Sequence, residues 1–272
     1  MSTTRLVVTG GVGGSRPDVR VETDGPRGRG HLAARLLPAR DGVARIALLA
    51  EGALLLGGDE IEVHVVLGAG ARAQVVEPTG TVAYDMRGDR ASWRVRVDAG
   101  EGSRLTWHGE PFVVCGGAGV ERSTRIDLGE GAVVALRELL VLGRTGEAGG
   151  RLHTSTRVWG EGPLLVEDLA LDGSAPRVAV LGDHRVLETV SVLGCRARPT
   201  ELIAPAHRLD LDGVGTVLRW WGARAHDATL GAAWRDVARD TLGGASVDVE
   251  TKEPDDRTTA PVGSVAAAAS AS

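Results

Sequence analysis

The chain has 272 residues, a net charge of -5 and a pI near 5.8, and its Lys252 is the single lysine. That balance excludes the basic footprint of a general nucleic-acid binder. It also leaves no lysine in the folded body for Schiff-base or phosphate-loop chemistry. Along the chain, residues 1–25 carry Gly10-Gly11 and Gly13-Gly14 and are expected to be loose. Ile61, Val63 and Val65 then alternate with Glu62 and His64. Trp93, Val95 and Val97 alternate with Arg94 and Arg96, Leu105 and Trp107 with Thr106 and His108, and Thr124 and Ile126 with Arg125 and Asp127. A period of two predicts half-buried strands. The motif Gly-x-Gly recurs between such runs, beginning at 68, 100 and 129. Spacings of 32 and 29 predict stacked, solenoid-like β hairpins.

Glu138–Leu142 and Leu164–Leu171 read as apolar on both faces, which predicts central strands. Leu230, Ala233, Trp234 and Val237 place one apolar stripe on a helix spanning residues 228–240. The fold class expected is all-β, in layered sheets, with one or two C-terminal helices. Residues 26–242 form a single domain, and residues 243–272, acidic and then Ala/Ser-rich, form a disordered tail. Cys115 and Cys195, 80 residues apart, read as free thiols of a cytoplasmic protein, with Cys115 buried. No signal-peptide pattern or membrane-length apolar run occurs.

Chemistry is sparse. The glycine run lacks a Walker lysine, the seven histidines show no zinc spacing, and no nucleophile elbow occurs. The informative groups are acids inside apolar strands. Glu167 shares a strand face with Leu165, Leu169 and Leu171, where an unpaired carboxylate costs several kcal/mol. Glu138 and Arg144 share a face about 20 Å apart, too far to pair within one strand. Arg144 can meet Glu147 across the turn, or Glu167 from a neighbouring strand. Two interpretations stand side by side: an internal ion-pair network that sets strand register, and a wet passage lined by carboxylates.

Several segments together resemble the UreD/UreH family of urease accessory proteins. They are Gly57-Gly58-Asp59, Gly68-Ala69-Gly70, Pro78-Thr79-Gly80 with Tyr84, Trp107-His108-Gly109-Glu110-Pro111, Glu138 to Arg144 with Gly146-Glu147, and Pro163 to Leu169. The likeness is strongest over residues 30 to 175. The family's lysine before the tyrosine is replaced by Val82-Ala83. The resemblance implies a non-catalytic cytoplasmic scaffold that binds apo-urease, a UreF-type helical protein and a UreG-type GTPase. A homodimer within that complex is also implied, with no nucleic acid and no membrane. It implies no tightly held cofactor, with Ni²⁺ in transit through an internal tunnel past Asp59, Glu138 and Glu167. Gly57, Gly58, Pro78, Tyr84, Gly143, Arg144 and Glu147 would hold the local architecture. A plain structural adaptor is the alternative. A carbohydrate-active enzyme fits poorly with an aromatic content of 3%.

Overall fold

The computed structural model describes residues 1–10, 16–25, 31–175, 180–199 and 207–245. Strands in chain order are β1 (Ser2–Gly10), β2 (Pro17–Asp24), β3 (Leu32–Arg40), β4 (Val43–Ala50), β5 (Glu60–Leu67) and β6 (Arg72–Val76). Then come β7 (Thr81–Ala83), β8 (Ala91–Ala99), β9 (Arg104–His108), β10 (Phe112–Val114), β11 (Gly119–Leu128) and β12 (Val133–Leu142). The last are β13 (Arg151–Trp159), β14 (Pro163–Asp172), β15 (Val186–Leu193), β16 (Arg208–Asp210) and β17 (Gly215–Gly222), followed by the helix α1 (Gly231–Thr241).

Two sheets stack face to face. One has the order β14-β13-β11-β8-β5-β1-β2, and the other β16-β17-β15-β12-β9-β6-β4-β3, with β10 and β7 extending it beside β12. The alternating residues explain the stacking. Ile61, Val63, Val65, Trp93, Val97, Leu105, Trp107 and Ile126 all point into one core between the sheets. The all-β, layered architecture is therefore as expected.

Each Gly-x-Gly turn carries the chain from one sheet to the other. β5, β8 and β11 lie parallel in the first sheet, and β6, β9 and β12 lie parallel in the second. The units are thus coils of a solenoid, and the strands flanking a turn do not pair as a hairpin would. Successive turns stack through backbone bonds, Gly70 N–H donating to Glu101 O at 2.7 Å and Gly102 N–H to Glu130 O at 2.8 Å. The two glycines do different things. Gly131 has φ +65°, a conformation that side chains resist, whereas a Cβ on Gly129 would stand 2.8 Å from Glu101 N and 2.9 Å from Ala99 O. Gly129→Ala is expected to lower stability by about 2 kcal/mol in urea denaturation, because both obstacles are backbone atoms. A loss below about 0.5 kcal/mol would show that the stack relaxes freely.

Besides the hairpin pairing, two expectations need correction. Residues 1–25 are not loose where they are described. Leu6 and Val8 are fully buried, and β1 lies parallel beside β5 with β2 at its outer edge. Residues 11–15, with most of the glycine run, lie outside the described residues. Leu164–Leu171 is not a central strand either, since β14 is the edge of its sheet. Its odd-numbered residues face inward and its even-numbered ones are largely exposed. Glu138–Leu142 does lie in a central strand, β12, flanked by β9 and β10 on one side and β15 on the other. The tail from residue 246 also lies outside the described residues.

Leu230, Ala233, Trp234 and Val237 are buried as the helix stripe requires. They press α1 onto the outer face of the second sheet, over Ala135, Val190, Val192 and Leu218. That cover buries His108, although it alternates with the inward Leu105 and Trp107 and so faces away from the core between the sheets. Cys115 is buried and both cysteines are free. No helix of the described residues is long and apolar enough to cross a membrane.

Candidate functional site: a polar row between the sheets

Arg137 and Glu138 are neighbours on β12, so the pleat sends them to opposite faces. Glu138 points into the space between the sheets. There its Oε1 forms an ion pair with Arg122 Nη1 of β11 at 2.5 Å, and the Arg122 side chain is only 10% exposed. The Arg122 guanidinium also lies over the Phe112 ring, 5.6 Å from its centre.

Register extends this pair sideways. Glu138 is opposite Thr189 of β15, and Thr189 is opposite Arg219 of β17. On the other side, Val76, His108 and Arg137 are in register, which sets the next residues, Glu77 and Gly109, level with Glu138. Backbone bonds continue the ladder there, Glu77 N–H to His108 O at 2.9 Å and Gly109 N–H to Arg137 O at 3.0 Å. The row Glu77, Gly109, Glu138, Thr189, Arg219 therefore crosses the inner face of the second sheet over four strand spacings, about 19 Å. The first sheet opposes it with Thr124, Thr156 and Glu167, also in register. Glu167 and Arg219 close the far end, with Arg219 Nη2 2.5 Å from both carboxylate oxygens.

At the near end, Trp107 Nε1–H donates to Glu77 Oε1 at 2.6 Å. Burial pushes the Glu77 carboxyl up to about 7. The Trp107 bond and the Arg122 charge oppose that rise, while the charges of Glu138 and Glu110 add to it. Burial also raises Glu110. A cavity of about 30 Å³, room for one water, is lined by Glu77, Glu110, Arg122, Arg137 and Glu138. Glu77 and Glu110 also line a groove of about 480 Å³ with Arg35, Pro38, Val76 and His108. These two acids thus border both spaces.

The outer face carries a clamp on α1. Arg137 Nε donates to Glu188 Oε1 at 2.8 Å, its Nη2 stands 2.7 Å from the same oxygen in an ion pair, and Nη1 donates to His108 Nε2 at 2.7 Å. A guanidinium has only donors, so His108 Nε2 accepts and the ring is neutral. Burial, with the Arg137 charge second, holds His108 down at about 4. Glu188, which is 0% exposed, accepts the Leu230 N–H through Oε2 at 2.9 Å and so satisfies the start of α1.

The three carboxylates singled out in the sequence fall in different places. Glu138 and Glu167 stand in the two facing rows. Asp59 does not join them, because it lies in the turn before β5, where Oδ2 accepts the Leu56 N–H at 2.9 Å. His31 Nε2 is 3.5 Å from its other oxygen. Gly57 and Gly58 belong to that turn and pack on Asp89. Pro78 follows Glu77 on the exposed rim, and Tyr84 is 39% exposed. Gly143 has φ +80° in the turn after β12, and Arg144 pairs with Glu147 there at 2.7 Å. Glu147 also accepts the Gly116 N–H at 2.7 Å, and the Arg144 bond followed by this one holds its carboxyl at about 2. Among the described residues no three His, Cys, Asp or Glu side chains stand close enough to hold a metal.

Arg122, Arg219 and Glu188 belong to none of the sequence motifs, and Glu77 and Glu110 fall within or beside the family segments without a role of their own. A signal existed for two of them. Arg122 precedes Thr124 and Ile126 in the buried register of β11, and Glu188 interrupts the apolar run Val186 to Val190.

A family model described as UreD urease accessory protein matches residues 25–248. A protein of Streptomyces griseus named urease accessory protein UreD 1 is 47% identical over 194 residues, covering 69% of this chain and 74% of that protein. A Streptomyces avermitilis protein named urease accessory protein UreD is 37% identical over 190 residues, 66% of this chain and 75% of that one. One of the same name from Cereibacter sphaeroides is 35% identical over 195 residues, 67% and 70% of the two chains. The inter-sheet row and the clamped helix are thus built on a chain that belongs to the UreD family of urease accessory proteins.

Proposed function

We propose that this chain serves urease maturation in the cytoplasm as a non-catalytic scaffold. It binds apo-urease together with UreF-type and UreG-type accessory proteins, alone or as a homodimer, and hands on Ni²⁺ between the two sheets. Family membership supports the maturation role. The observation that carries the passage is the register of Glu77, Glu138 and Arg219 on one face, with Glu167 opposite. Ni²⁺ accepts oxygen ligands, and carboxylates met one at a time attract a cation without caging it. Glu77 ionises near neutrality, so transfer weakens in acid.

A structural adaptor without metal passage is the second reading, favoured by the pairing of Glu138 with Arg122 and of Glu167 with Arg219. The two readings separate in reconstituted activation of apo-urease. Glu138→Gln and Glu167→Gln are expected to keep the complex in pull-down and to slow activation by about tenfold or more. Activation at the normal rate by both variants would leave only the adaptor.

A further inference from the structure

We infer that Arg122 and Arg219 are exchangeable counter-cations, each guanidinium holding at rest the carboxylate that a divalent cation takes up in transit. The inference rests on the passage proposed above and goes further by assigning a role to the arginines. Both pairs cross from one sheet to the other, with their polarity reversed. Arg122 of the first sheet meets Glu138 of the second, and Glu167 of the first meets Arg219 of the second. A firmly seated arginine engages a carboxylate with two parallel N–H bonds. Here neither pair shows that fork: Arg122 approaches Glu138 through Nη1, and Arg219 gives both its bonds to Glu167 from the one nitrogen Nη2. In both residues Nε is buried and has no hydrogen-bond partner among the described residues. A buried donor without an acceptor makes the seated position costly. The Arg122 side chain, nine-tenths buried, stands at the small cavity shared with Glu77, Glu110 and Glu138, so its displacement exposes several acids to one space.

Atom for charge, the exchange is simple. A divalent ion brings two positive charges where the guanidinium brought one, and Glu77 and Glu110, which line the same small cavity as Glu138, add their negative charge to that space without forming a closed ligand set. The arginine then prevents the row from trapping the ion, because it returns when the ion leaves.

The test is direct binding of Ni²⁺ alone to the purified full chain by titration calorimetry, with melting temperature as a second readout. Arg122→Met is expected to bind Ni²⁺ at least about tenfold more tightly than the wild type, and Glu138→Gln added to it is expected to cancel the gain. Arg219→Met is expected to behave alike through Glu167. If a methionine variant fails to fold in metal-free buffer, added Ni²⁺ is expected to restore it by binding the folded state. Unchanged affinity in both variants would overturn the inference, as would a gain that survives Glu138→Gln, or unfolded variants that Ni²⁺ does not rescue. Failure of the passage itself is distinguishable. Tighter Ni²⁺ binding by Arg122→Met, with normal urease activation by Glu138→Gln, would leave a cation site that lies off the transfer route.

Discussion

Glu188→Ala is expected to lower the unfolding free energy by about 3–5 kcal/mol, the largest single effect of any polar substitution here. Glu188 is fully enclosed, pairs with the Arg137 guanidinium through a bond from Nε and a close Nη2 contact, and accepts the Leu230 N–H. Its removal strands a buried guanidinium and leaves the start of α1 without its acceptor. The loss is therefore a desolvation penalty and not merely a missing contact. Urea denaturation of the full chain measures it. A double variant, Glu188→Ala with Arg137→Met, is expected to recover part of the loss, since two charges removed together leave neither unpaired. A drop of less than about 1 kcal/mol in the single variant would mean that water reaches Arg137. Trp234, packed edge-on against His108 at 5.8 Å, ties the same clamp to the helix.

Glu77→Gln is expected to change the dependence of stability on pH. The Glu77 carboxyl rises from 4.5 to about 7 on folding, chiefly through burial. The folded state therefore binds its proton more tightly than the unfolded chain does. The stability this contributes is fully present below about 4.5 and is lost as pH rises through about 7. At face value the rise is worth about 3 kcal/mol, and the partial exposure of the side chain reduces it to roughly 1–2 kcal/mol. Gln keeps an acceptor for Trp107 Nε1–H and cannot ionise. The variant is expected to match the wild type near pH 4 and to exceed it at pH 8. Denaturation midpoints compared at those two values decide the matter. Parallel curves for the two proteins would place the Glu77 carboxyl in open water.

The strands, the solenoid turns and the helix stripe were legible because each depends on neighbours in the chain. Ile61, Val63 and Val65 declare an inward face by alternation alone, and Gly131 is required by its own φ. Leu230, Ala233, Trp234 and Val237 do the same at helical spacing. Arg144 and Glu147 pair within one turn, so their spacing sufficed. The N-terminal strands were misjudged because Gly10 to Gly14 outweighed the alternation of Thr4, Leu6 and Val8. The edge position of β14 was hidden because apolar content cannot say which strand lies last in a sheet.

What the sequence determined by itself is thus most of the strands, their inward faces, the stacked glycine turns and the acids that break apolar runs. Only the tertiary structure decided which of those acids meet. Glu77, Glu138 and Arg219 are separated by 61 and then 81 residues, yet stand level across one sheet face. The physical reason is that the period of two is a property of each strand's own backbone, whereas lateral register follows from how many residues each coil of the solenoid contains. The facing partners, Arg122 for Glu138 and Arg219 for Glu167, follow from packing the two sheets on a shared apolar core.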